Sequence, residues 1–249
     1  DNQGTLWVGT YGGGLNRFDQ NDKSFRTYRN DPENASTLSS DRITAIYQDR
    51  SNGLWIGTEE AGLNRFNYAT DSFVRYLHDP KNDTSLSSNA VLNMMESEDG
   101  SLWIATMGGG LNRWTLSDRK ANQSVFQQFH KAKGLKSDTV FGMLEDKDGF
   151  VWLSSNRGLS RLNPIDGSMR HFDRFNGLRG DEFNFGAFLR TRSGRLFFGG
   201  TDGLVTFDPG LLLVNMHRPE IVLTAHNKHE RLTTAYSTDE SEPETLVFG

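Results

Sequence analysis

One short pattern returns five times along the 249 residues of this chain. Gly4-Thr5-Leu6-Trp7-Val8-Gly9-Thr10 recurs as Asn52-Gly53-Leu54-Trp55-Ile56-Gly57-Thr58, then as Gly100-Ser101-Leu102-Trp103-Ile104-Ala105-Thr106. It recurs again as Gly149-Phe150-Val151-Trp152-Leu153-Ser154-Ser155, and last as Gly194-Arg195-Leu196-Phe197-Phe198-Gly199-Gly200. The aromatic anchors Trp7, Trp55, Trp103, Trp152 and Phe197 stand 48, 48, 49 and 45 residues apart. Copies in register at that period make this a repeat protein, in which one supersecondary unit is stacked on the next.

Each unit reads as four short strands. In the second, Ile43-Thr44-Ala45-Ile46-Tyr47 alternates apolar and polar residues, and a polar turn leads into Leu54 to Thr58. Leu63 to Phe66 and Phe73 to Tyr76 follow, each after a turn rich in Gly, Asn or Asp. Four β-branched and aromatic runs within one unit describe an antiparallel propeller blade, and no segment sustains the 3.6 period of a helix. The expected fold is an all-β propeller of about five blades over residues 1–209. Residues 210–249 are expected to form a connector and the start of a further unit or a tail. Trp7, Trp55, Trp103, Trp152 and Phe197 are expected to be buried between blades.

Composition narrows the function. The net charge is −5, against a nucleic-acid phosphate binder. There is no cysteine, which excludes disulfides, thiol catalysis and cysteine-held metals. No run approaches the roughly 18 apolar residues of a membrane helix, so no membrane contact by this segment is expected. Asp1-Asn2-Gln3-Gly4 shows no basic and apolar leader, so no signal peptide is expected at this end.

Leu54-Trp55-Ile56-Gly57-Thr58 and Gly62-Leu63-Asn64-Arg65-Phe66, with the linker Asp79-Pro80 to Ser87-Ser88-Asn89 and its twin Asp31-Pro32 to Ser39-Ser40-Asp41, resemble the two-component regulator propeller repeat. That family occurs in the sensory regions of bacterial membrane-bound signalling proteins. Pro219 to Thr224 resembles the first strand of the triple-Tyr β-sandwich that follows such propellers. The resemblance implies a seven-bladed ring needing roughly 340 residues, so a piece of a longer sensor is expected. It also implies placement on the periplasmic or extracellular face of an inner-membrane receptor, with carbohydrate as a common signal.

Gly12-Gly13-Gly14 and Gly108-Gly109-Gly110 precede strands rather than helices, so they read as turns and not as phosphate loops. Asp146-Lys147-Asp148-Gly149 lacks the later ligands of a calcium loop. The six histidines share no repeat position and read as solvated, and no Gly-x-Ser-x-Gly elbow occurs. No catalytic residue, metal site or cofactor is expected. Arg17, Arg65, Arg113 and Arg161 recur every 48 residues. They are expected to brace the adjoining blade, with an anion-holding basic ring as the alternative.

In repeat folds, specificity resides where the copies differ. The loops between second and third strands share a face with the inter-blade linkers, and they carry Tyr11, Glu59, Met107, Asn156, Arg157 and Asp202. These are the expected ligand contacts. The reading is a non-catalytic sensing module for a small molecule or oligosaccharide, partnered by the rest of its receptor chain, with homodimerisation left open. A propeller enzyme of the streptogramin-lyase type and a protein-interaction scaffold are the alternatives.

Overall fold

The computed structural model describes residues 1–212. The proposed strand at Pro219 to Thr224 and nearly all of the 210–249 segment lie outside them. Five antiparallel sheets are present among the described residues. The first blade is β1 (Trp7–Gly9), β2 (Leu15–Phe18) and β3 (Phe25–Tyr28). The second is β4 (Ile43–Gln48), β5 (Leu54–Thr58), β6 (Leu63–Asn67) and β7 (Ser72–Tyr76). The third is β8 (Val91–Glu96), β9 (Leu102–Thr106), β10 (Leu111–Trp114) and β11 (Gln127–Phe129). The fourth is β12 (Gly142–Glu145), β13 (Val151–Ser155), β14 (Gly158–Leu162) and β15 (Met169–Phe172). The fifth is β16 (Phe183–Arg190), β17 (Leu196–Gly200) and β18 (Gly203–Phe207). Each sheet is a meander with its strands in sequence order, as expected of propeller blades.

The blades stack by one rule. Successive side chains of a strand point to opposite faces, and a blade covered on both sides shows a continuous apolar run. Leu54-Trp55-Ile56 is such a run, with all three residues buried. Trp55 packs forward onto Leu102, Ile104 and Trp114 of the third blade. Leu54 and Ile56 pack backward onto Leu15 and Tyr28 of the first. Trp103 likewise meets Val151 and Leu153, and Trp152 meets Leu196, Phe198 and Phe207. Each fully buried ring contributes about 2–3 kcal/mol by removing apolar area from water.

The two end faces have no such partner among the described residues. On the first blade Leu6, Val8 and Phe25, counterparts of Leu54, Ile56 and Phe73, are exposed. On the fifth, Leu189 and Leu204 are exposed and Phe197 is half-buried. The expected burial of Phe197 is corrected here: it takes the register position of Trp55, but no blade covers that forward face among the described residues, while Phe198, the counterpart of Ile56, packs back onto the fourth blade. Trp7 is also only half-buried, with no strand beside β1 at the inner edge of its sheet among the described residues.

A second departure is a helix. The connection from β10 to β11 contains α1 (Leu116–Lys120), capped by the Thr115 hydroxyl, which accepts from the Asp118 N–H. The remaining strand assignments agree with the sequence reading to within two residues.

Trp103→Ala should cost about 3–5 kcal/mol, the usual loss for a large buried aromatic. Trp7→Ala should cost less than half as much, since its ring is half-buried. Chemical denaturation of the two variants checks the ordering, and equal losses would contradict the packing rule.

Candidate functional site

The linker face is built on a repeated clasp. The backbone N–H groups of Gly14, Gly62, Gly110 and Gly158 donate to the carbonyls of Asp41, Asn89, Asp138 and Asp181, at 2.9, 2.8, 2.7 and 2.7 Å. The side chains of those four linker residues accept from the N–H groups of Asn30, His78, Lys131 and Arg174. In the first four blades the loop on this face is thereby pinned to the linker beside it. At Gly110, φ is +79° and an added Cβ would lie 2.1 Å from the Phe129 carbonyl oxygen, so no larger residue fits the clasp. Buried Asn64 and Asn112 hold the linkers from below, each accepting from a linker serine N–H, Ser39 or Ser87.

The six sequence-chosen loop residues lie in the loops of this face, five of them at tips that the clasps hold and Asp202 in the fifth blade's loop. Tyr11 and Glu59, on adjoining blades, are brought together: the Tyr11 hydroxyl donates to Glu59 Oε1. Arg42 completes the cluster, with Nη1 2.9 Å from Glu59 Oε2 and its guanidinium 5.5 Å from the Tyr11 ring centroid. The hydrogen bond to Glu59 raises the Tyr11 pKa, and the bonds from Tyr11 and then Arg42 lower that of Glu59. Met107 is exposed. The Asn156 side chain accepts from the Ser137 hydroxyl at 2.9 Å, and Arg157 beside it is exposed. Asp202 lines a small cavity of about 110 Å³ with Arg179, Gly180 and Glu182. Sequence reasoning missed Arg42, because it sits in a linker rather than a loop tip.

The aligned arginines occupy the opposite half of the blades. Arg17, Arg65, Arg113 and Arg161 are cross-strand partners of Trp7, Trp55, Trp103 and Trp152. Their guanidinium carbons lie 5.5–5.7 Å from the indole centroids. That places each over its own blade's indole, where the sequence reading expected a contact to the adjoining blade. Arg113 does cross as expected, donating to the Pro164 carbonyl of the fourth blade at 2.9 Å.

A second missed series supports the indoles. Trp7, Trp55 and Trp152 Nε1 each donate to an aspartate six residues earlier, Asp1, Asp49 or Asp146, at 2.8 Å. Trp103 uses Ser97 at 3.0 Å. Those acceptors recur at the repeat period, which was the available signal. The histidine reading is corrected as well: His78 Nδ1 meets the Leu86 carbonyl and His171 Nδ1 meets the Ser160 hydroxyl, so neither is simply solvated. Among the described residues no three His, Asp or Glu side chains are grouped to hold a metal ion.

Three segments, residues 37–60, 85–108 and 134–157, match the model of the two-component regulator propeller. The chain therefore carries repeats of that type, each match running from a linker through two strands to the following loop. Histidine kinase P4 of Formosa agariphila is 32% identical over 71 residues, 28% of this chain and 5% of that protein. The extracellular domain of the putative hybrid two-component system BT4673 from B. thetaiotaomicron superposes with a TM-score of 0.70 and 26% identity, over 84% of this chain and 28% of that one. The corresponding domain of BT3049 from B. thetaiotaomicron superposes with a TM-score of 0.63 and 22% identity, over 83% of this chain and 26% of that one, a likeness of fold. This chain spans about a quarter of those solved domains.

One turn carboxylate gives a pH dependence. Burial raises the Asp99 pKa, but hydrogen bonds from Ser97, Ser101 and Arg113 outweigh it and bring it from 3.8 to about 2. A pKa depressed by folding contributes stability above pH about 4, which is lost as pH falls towards 2. Asp99→Asn should flatten the fall in melting temperature across that window and leave the pH 5–7 region parallel to the parent. A thermal-denaturation series against pH checks it.

Proposed function

We infer that this chain is a ligand-sensing, non-catalytic part of a bacterial signal-transduction receptor, exposed on the periplasmic or extracellular side. The observation that carries the reading is the contrast on the linker face. Four glycine–carbonyl clasps repeat with nearly constant geometry, while the loop tips they hold differ from blade to blade. A rigid frame presenting non-equivalent side chains is the construction of a recognition surface. The similarity to a histidine kinase and to extracellular domains of two-component systems supports a sensory role. The rest of the receptor chain is the implied partner.

An oligosaccharide is the ligand class that these side chains suit. Exposed Tyr11 offers an aromatic face, while Glu59, Asn156, Arg157 and Asp202 offer donors and acceptors for hydroxyl groups. Met107 adds a polarizable apolar contact between them.

Glu59→Ala and Arg157→Ala should each weaken binding about tenfold, the effect of one lost charge-assisted hydrogen bond. The measurement is calorimetry of the complete receptor's sensory region against a panel of neutral and acidic oligosaccharides, with a signalling assay alongside. Unchanged binding and output in both variants would remove the linker face from consideration.

A further inference from the structure

The third blade departs from its neighbours at the connection from its third to its fourth strand. In the second blade this is a short turn between β6 and β7, whereas here it runs from Thr115 to Phe126 and contains α1. Arg119 of α1 is driven into the joint between the two blades, with its side chain only 8% exposed. Its Nη1 donates to Asp49 Oδ2 at 2.8 Å, and its Nη2 to Glu96 Oε1 at 2.9 Å and to the Gly100 carbonyl.

This contact occupies the carboxylate that aligns with the partner of Arg161. In the fourth blade the aligned Arg161 lies 3.4 Å from Asp146, and in the third Arg113 lies 2.6 Å from Asp99. Asp49 is the counterpart of Asp146, but its carboxylate already accepts from the Trp55 indole, the Ser51 and Gly53 N–H groups and Arg119. The counterpart of Asp99 is Ser51, which has no charge. Arg65 is exposed over Trp55, beside the Tyr76 side chain and without a carboxylate partner among the described residues. Lys120, at the end of α1, is exposed and equally without one.

Both cations line a groove of about 520 Å³ between the second and third blades, within the roughly 300–1,000 Å³ range of small-molecule sites. Tyr76 and Leu116 give it apolar walls, and Asn122 and Ser124 give it polar ones. Asp49 lies at its floor, with its charge answered by Arg119. Ser51 marks the groove as lying on the turn side of the blades, opposite the linker face. In a chain of net charge −5, two cations without acidic partners and an apolar wall make a local site for an anion that also carries a ring face.

We propose that this groove binds an acidic saccharide, a sugar bearing carboxylate or sulfate groups. Arg65 and Lys120 hold the anionic group, Asn122 and Ser124 meet hydroxyls, and the sugar's apolar face lies against Tyr76 and Leu116.

The test is calorimetric titration of the 249-residue chain with trigalacturonate, with a sulfated galactotriose and with neutral galactotriose, at low and high salt. Binding of at least one acidic probe, at least tenfold weaker for the neutral one and weakened by salt, is expected. Arg65→Gln and Lys120→Gln should each lower that affinity about tenfold while both variants keep a cooperative thermal unfolding transition. Glu59→Ala, which tests the linker face, should leave it unchanged, so the two readings fail separately. Equal affinity for neutral galactotriose, no binding of either acidic probe, or full binding by the Arg65→Gln, Lys120→Gln double variant would overturn the proposal.

Discussion

A buried indole must find an acceptor for its N–H, and in this protein the acceptor comes from the turn six residues earlier. The bond from Trp55 to Asp49 joins three levels of structure at once. It fixes the first hairpin turn, because the same carboxylate accepts from the Ser51 and Gly53 N–H groups. It sets the position of the ring within its strand. It also permits that ring to be wholly desolvated against the next blade, which would otherwise leave a polar group unpaired at a cost of about 1–3 kcal/mol. The same bond in the first and fourth blades, and a serine version in the third, explain why blades of different sequence share one geometry.

Most of the architecture was legible because the repeat forces it. Strand positions, turn glycines and buried tryptophans follow from patterns that five copies supply in parallel. What escaped was what the copies do not share. The helix α1 had a local signal, Thr115 followed three residues later by Asp118, which is a capping pattern. Its five residues are too few to show a helical period beside the strand pattern. Arg119 could not be assigned at all, because its partners Asp49 and Glu96 are 70 and 23 residues away in sequence. Phe197 does take the forward-facing position of the repeat, but its burial depends on a following blade that is absent among the described residues, which no reading of one copy reveals. The loop face itself followed from antiparallel connectivity. The pairing of Tyr11 with Glu59 through Arg42 did not, since it depends on how two blades meet.

The blades divide their work by height. The turn side carries the indole bonds and the arginines stacked above them, where a change in one residue alters a packed interface. The linker side carries the glycine clasps, which bond backbone to backbone and leave the side chains at the loop tips outside the clasp. Stability therefore rests on groups that recur, and the tips are free to vary without unsettling the sheets. Arg119 is an exception on the turn side: it crosses between blades and takes over a carboxylate, which alters the environment of a recurring residue without altering the strands around it.

The two unmatched end faces make this stack behave like a column of coins held only by its neighbours. Among the described residues each inner blade is gripped twice, whereas the first and fifth are gripped once and each shows three strands. In a linear array with nearest-neighbour coupling, opening enters from the ends and works inward. The backbone amides of β1–β3 and β16–β18 then exchange with solvent ahead of the rest. The joint between the second and third blades, held by apolar packing and by Arg119 together, opens last.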